Sequence, residues 1–342
     1  MRICIAGAGA IGGFMGARLS QAGHDVSLVT LGDQLTAIQC AGLRVVGLDG
    51  QEDVITDAYA TDDFGLLGQQ DVVILAVKAN HIEAVAASLP QLFHRDTIVV
   101  TVQNGIPWWY FERQDGAFKA RRIQCLDPDG FISRHIPAHR VIGCVAYPAV
   151  ETVAPGLLRH VEGTRFPVGE LDGSNAPRVH QLADLFIEAG FKSPVLSDIR
   201  GEIWLKAVGA LAFNPISALT HAYLGDLCRL PETRALALEM MREGEHVAAR
   251  LGVTIRLPVE RRLAGAEAVG AHKTSMLQDI EAGRPLEIEA LLSAIRELGQ
   301  LTRTPTPYIN AIYACTKLLD QTLTNAGGRL RIDPVDVADS VA

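Results

Sequence analysis

The sequence predicts an α/β chain in two parts, a domain built on a parallel sheet followed by an all-α domain. Three observations carry this reading. Over the first half, short Val/Ile-rich runs alternate with helix-like stretches, the pattern of a parallel sheet covered on both faces. A glycine-rich turn joins the first such run to the first helix. From Asp198 almost to Asn325 the pattern is helical alone. At 342 residues the chain is too long for one core and suits two domains. The expected divisions are residues 1–197, 198–325 and a partly disordered tail, 326–342.

The first element begins at Arg2. "RICIAGAGAIGGFMGARLSQAGHDVSLV" reads strand, glycine turn, helix and second strand. Gly7, Gly9 and Gly12 match the dinucleotide-binding fingerprint. Gly7 permits the tight turn, Gly9 lets backbone approach a pyrophosphate, and Gly12 lets helix and strand pack closely. The backbone of Ala10 and Ile11 completes the cradle, and the anion would sit on the helix N-terminus. A glycine triplet alone is weak evidence, but here it lies between a strand and a helix that leads to a further strand, as a Rossmann-type unit requires. Further strands are expected at 71–80, 97–105 and 140–150, with a helix over 81–93. Polar residues follow two of those strands: Lys78 and Asn80, then Gln103 and Asn104. Each alone would be a loop cap, but together at matching strand ends they mark a site. The second strand ends "VTLGDQL", with Val29, Thr30 and Leu31 at its end and Asp33 a few residues late, so neither the acidic signature of NAD nor the basic one of NADP is present and both stay open.

Residues 157–174 alternate like a hairpin, and 176–190 read as a helix. In "GEIWLKAVGALAFNPISALT", residues 201–220, nearly every side chain is apolar or small, yet Lys206 stands in the middle. At helical spacing Lys206, Ala210, Phe213 and Asn214 share one side. The simplest explanation is a snorkelling lysine paired with Glu202 one turn earlier. The alternative is a lysine with a chemical task.

Composition narrows the classes. A net charge of −8 excludes a sequence-independent grip on nucleic acid. No run of about 18 apolar residues is present, so no membrane span is expected. The six cysteines are scattered without a CxxC pair, as reduced thiols of a cytoplasmic protein would be, and no metal site is expected.

In order along the chain, the GAGAIG turn, "AVKAN", "QNG", "EIWLK…FNPISALT" and "TSMLQDIEAGRPLEIEAL" resemble the ketopantoate reductase (2-dehydropantoate 2-reductase) family over residues 2 to 320. The resemblance implies an NADP(H)-dependent reductase, NAD(H) remaining possible, that converts a 2-oxo acid to a 2-hydroxy acid. Ketopantoate is the leading substrate. It also implies roles. Lys206 would protonate the carbonyl oxygen, and Asn104 would lie near nicotinamide and substrate. Glu287 would be hydrogen-bonded within the site, Lys78 would lie beside cofactor and substrate, and Asn214 and Ser275 would bind substrate. Two positions depart from the family pattern. Ala210 replaces an asparagine that contacts the substrate hydroxyl, and Leu31 replaces the arginine for the 2′-phosphate. Two rival readings are a dehydrogenase for a bulkier 2-hydroxy acid and a dinucleotide-binding sensor without catalysis. The segment 106–139 holds Trp108, Trp109, Tyr110 and Phe111, which would either wall the substrate pocket or pack as a loop or dimer contact. A homodimer through exposed C-terminal helices is expected.

Overall fold

A computed structural model describes residues 1–255 and 257–328. From residue 329 onward the expected tail lies outside the described residues. The chain runs β1 (Arg2–Ala6), α1 (Ala10–Gln21), β2 (Asp25–Val29), α2 (Gly32–Ala41), β3 (Leu43–Val46), β4 (Glu52–Ile55) and β5 (Tyr59–Thr61). Then come β6 (Gln70–Leu75), α3 (Ile82–Ala86), β7 (Phe93–Thr101), α4 (Phe131–His135) and β8 (Val141–Cys144). β9 (Ala149–Ala154), β10 (Leu157–Glu162), β11 (Val168–Glu170) and α5 (Pro177–Glu188) complete this half.

Seven strands form one sheet in the order β11-β8-β7-β6-β1-β2-β5, parallel except for the β8–β11 pair. Its central strands are buried on both faces, which is why they read as continuous apolar runs. After β5 the chain crosses β1 to its other side, so the strand order reverses between β1 and β6. Ligands of such sheets bind off the carboxyl ends at that point. A second sheet, β4-β3-β10-β9, lies against α1.

Several local expectations fail for identifiable reasons. The run 140–150 is two strands, because Tyr147-Pro148 interrupts it; proline cannot donate to a ladder. The hairpin over 157–174 is not formed. β10 pairs with β9 and β3, while β11 leaves for β8 in the large sheet. The helix expected over 81–93 stops at Ala86, and Pro90 opens a short 3-10 turn instead. β3, β4 and β5 are too short to carry a period.

The helical half comprises α6 (Ile199–Thr220), α7 (Leu224–Arg229), α8 (Pro231–Arg250), α9 (Val259–Val269), α10 (Ser275–Glu281), α11 (Ala294–Thr302) and α12 (Pro307–Asn325). Asp198 caps α6 by accepting from the Gly201 N–H at 2.8 Å. By length and composition α6 could cross a membrane, but 67% of its most apolar window is buried inside the fold. It packs against α8, α10 and α12, so protein accounts for its apolarity.

The aromatic run belongs to the core. Trp109, Tyr110 and Phe111 are each 1% exposed and share an apolar cluster with Trp204 and Val208 of α6. The Trp204 indole N–H donates to the Tyr110 hydroxyl at 2.8 Å, and that of Trp109 to Thr101 Oγ1 at 3.1 Å. Arg200 bonds the carbonyls of Tyr110, Leu171 and Glu112. These side chains therefore join sheet to helices, and the expectation of an aromatic pocket wall gives way to the packed loop.

Candidate active site

The glycine turn has the shape a dinucleotide needs. Gly7 has φ +102, where a β-carbon would lie 2.7 Å from the Val77 nitrogen. At Gly12 a β-carbon would come within 1.9 Å of the Gly7 carbonyl oxygen. At Gly9 nothing stands within 4 Å, leaving open space over the N-terminus of α1. That N-terminus has no side-chain cap and no acid in its first turn. Its free N–H groups, with Ala10 and Ile11 at the start of the helix, suit a pyrophosphate. Leu31, two residues past β2 at the N-cap of α2, is 71% exposed.

Lys206 lies near the carboxyl ends of β7 and β8. Its ammonium donates to Asn104 Oδ1 at 2.5 Å and to the Ala146 carbonyl. The i,i+4 pair with Glu202 is not made, since Glu202 instead accepts from the Tyr147 hydroxyl at 2.8 Å and from Arg165. Burial lowers the Lys206 pKa to about 8, opposed by Cys144 and Glu287. The loop carrying Asn104 is fixed from both sides. Gln103 Nε2 donates to the Leu75 carbonyl at 2.7 Å, and the Ile106 N–H to the Ala290 carbonyl at 2.9 Å. Gly105, φ +81, is required there because a β-carbon would meet the Ala290 oxygen at 2.4 Å. Ala290 belongs to a π-helical turn, Glu289–Ser293, and its carbonyl is the one this loop meets.

Glu287 is buried and accepts from the Ala79 N–H at 3.0 Å. Burial raises its pKa, against the pull of the Ala79 N–H and of Lys78 and Lys206. Lys78 forms an ion pair with the buried Asp279 of α10. Two turns beyond Lys206 on α6, Asn214 Nδ2 donates to Ser275 Oγ at 3.2 Å. Ser275 opens α10, whose cap is Thr274. Ala210 lies between Lys206 and Asn214 in the helix and carries no polar group. Lys206, Asn104, Glu287 and Lys78 are thus linked by contact or electrostatics, Asn214 and Ser275 form a second polar pair, and Leu31 stands apart at the lip of β2.

Sequence reasoning missed three participants. Ala146 acts through its carbonyl, which no side chain announces. Tyr147 and Asp279 could have been found, the first as an aromatic after a buried strand, the second within the "SMLQD" run.

A family model described as ketopantoate reductase PanE/ApbA matches residues 3–173, and its C-terminal counterpart matches 198–320. A 2-dehydropantoate 2-reductase of Mesorhizobium japonicum is 48% identical over 320 residues, 93% of this chain and 98% of the relative. The crystal structure of a proposed ketopantoate reductase from Ralstonia solanacearum MolK2 superposes with a TM-score of 0.89 at 41% identity, covering 94% and 98% of the two chains. That of 2-dehydropantoate 2-reductase from Methylococcus capsulatus gives 0.78 at 29% identity, covering 95% and 98%. With both halves matched and a near full-length relative at this identity, the chain belongs to the ketopantoate reductase family of pyridine-nucleotide-dependent oxidoreductases.

Proposed function

We propose that this enzyme reduces 2-dehydropantoate to pantoate with NADPH, residues 1–197 binding the dinucleotide and 198–325 supplying the substrate and catalytic groups. The observation that carries the reading is the Lys206 ammonium, its pKa lowered to about 8, suspended between Asn104 and the Ala146 carbonyl. Two of its protons are engaged and one remains for a substrate oxygen. When bound, the nicotinamide supplies hydride to the carbonyl carbon. Charge then develops on the carbonyl oxygen, and Lys206 delivers the proton that neutralises it. A pKa near 8 suits the task, because the group is protonated at neutral pH and gives up its proton readily. Asn104 orients the ammonium without adding charge. Glu287 fixes the backbone at Ala79 and offsets the positive charge of Lys78 and Lys206. Asn214 and Ser275 hold the substrate by hydrogen bonds.

NADPH is the proposed cofactor, with only a modest preference over NADH because Leu31 offers no partner for a 2′-phosphate. Tyr308 and Leu318, 45% and 64% exposed on α12, favour a homodimer through that face. The six unpaired thiols accord with a cytoplasmic enzyme. A panel of 2-oxo acids assayed with NADPH and NADH tests the proposal. Ketopantoate with NADPH should give the highest kcat/KM. A bulkier acid turned over better would transfer the assignment to a different 2-hydroxy acid, and no turnover of any acid would leave a binding protein.

A further inference from the structure

Glu202 and Lys206 stand one turn apart on α6 with the acid N-terminal, the favourable arrangement for an ion pair. The pair is absent because another group has taken the acid. The Tyr147 hydroxyl donates to Glu202 Oε1 at 2.8 Å, and the Arg165 guanidinium pairs with the same oxygen. Tyr147 follows β8 and Arg165 precedes β11, and the two segments are tied by the Tyr147 N–H donating to the Arg165 carbonyl at 3.1 Å. The Arg165 guanidinium lies 4.9 Å from the Tyr147 ring centroid and the Lys206 ammonium 5.9 Å from it. Ala146, the residue before Tyr147, holds that ammonium through its carbonyl. One short segment therefore grips both the lysine and the acid that would otherwise neutralise it.

We propose that Tyr147 and Arg165 are positioning residues for the proton donor, holding the Glu202 carboxylate away from the Lys206 ammonium and setting the Tyr147 ring beside it. The proposal rests on Lys206 being that donor. A carboxylate released toward Lys206 would favour its charged form and make it a poorer acid. The other ionisable groups that act on Lys206 are Cys144 of β8 and Glu287 ahead of the π turn; those on Glu202 are Tyr147 and Arg165. None of these besides Tyr147 and Arg165 restrains Glu202.

The test uses the full chain and two variants, Tyr147→Phe, which keeps the ring, and Arg165→Gln, a change at a partly exposed side chain. Two readouts are followed against pH: kcat for reduction, and the 13Cε shift of Lys206. In the native enzyme kcat should fall as pH rises through the Lys206 titration. Either variant should move that titration, and the fall in kcat, upward by about one unit. Adding Glu202→Gln to either variant should return both to their native positions. An unmoved Lys206 titration in folded variants overturns the proposal, as does a shift that persists once Glu202 is replaced. Should the native kcat profile fail to follow the Lys206 titration, the donor assignment falls, and the shift measurement still decides whether the clasp exists.

Discussion

Replacing Lys206 by alanine isolates the proton-transfer step. The ammonium occupies a place fixed by Asn104 Oδ1 at 2.5 Å and by the Ala146 carbonyl. The substitution removes it and leaves both acceptors facing a small polar space. Water can enter such a space and satisfy them, so the fold should survive. Water is, however, a far weaker acid than a lysine titrating near 8. A positioned general acid contributes about 10²–10⁴-fold, or roughly 3–5 kcal/mol of barrier, and kcat should drop by that factor. The glycine cradle lies on the β1–α1 turn, so dinucleotide affinity should hold. Single-turnover oxidation of the reduced cofactor measures the chemical step, and a fluorescence titration measures its binding. The pH profile supplies a second check. Lys206 must be protonated to act, so native activity persists below its pKa and declines as pH rises through about 8, whereas the variant should lack that decline. A kcat within about threefold of native, or a variant retaining the native decline, would refute Lys206 as the donor.

Glu287→Gln can still accept from the Ala79 N–H but loses the charge that raises the Lys206 pKa, so the decline in kcat should move to lower pH; a rightward movement would contradict that electrostatic reading. Leu31→Arg should widen the preference for NADPH by adding a phosphate partner, and about a hundredfold preference for NADH in the native enzyme would rule out the proposed cofactor. Ala210→Asn should shift kcat/KM toward ketopantoate over 2-oxoisovalerate by the ~0.5–1.5 kcal/mol of a net hydrogen bond, and an unchanged ratio would remove this position from specificity. Trp109→Ala should cost about 3–5 kcal/mol of stability in thermal melting, because the ring is 1% exposed in the core. The same variant should leave the ratio of the two substrates unaltered, and a changed ratio would return the aromatic loop to the pocket.

The sequence by itself determined the class of fold, the glycine turn between β1 and α1, and the family. Gly7 and Gly12 are legible because their requirement is local: a β-carbon at either collides with neighbouring backbone. The central strands are legible because burial on both faces forces uninterrupted apolar runs, and α6 because a helix apolar on nearly every side leaves Lys206 conspicuous. Tertiary structure decided whatever depends on partners distant in the chain. β3 joins β10 across more than a hundred residues, and neither strand's own pattern records that pairing. Trp109 and Tyr110 have the composition of a pocket wall, and only their bonds to Thr101 and Trp204 assign them to the core. The lysine is the clearest case. Helical spacing correctly put Glu202 within reach of Lys206, but whether the pair forms depends on Tyr147 and Arg165 competing for the same carboxylate. Contacts made through a backbone carbonyl, as at Ala146, leave no trace in side-chain chemistry, because every residue carries that group and only the fold decides where it points.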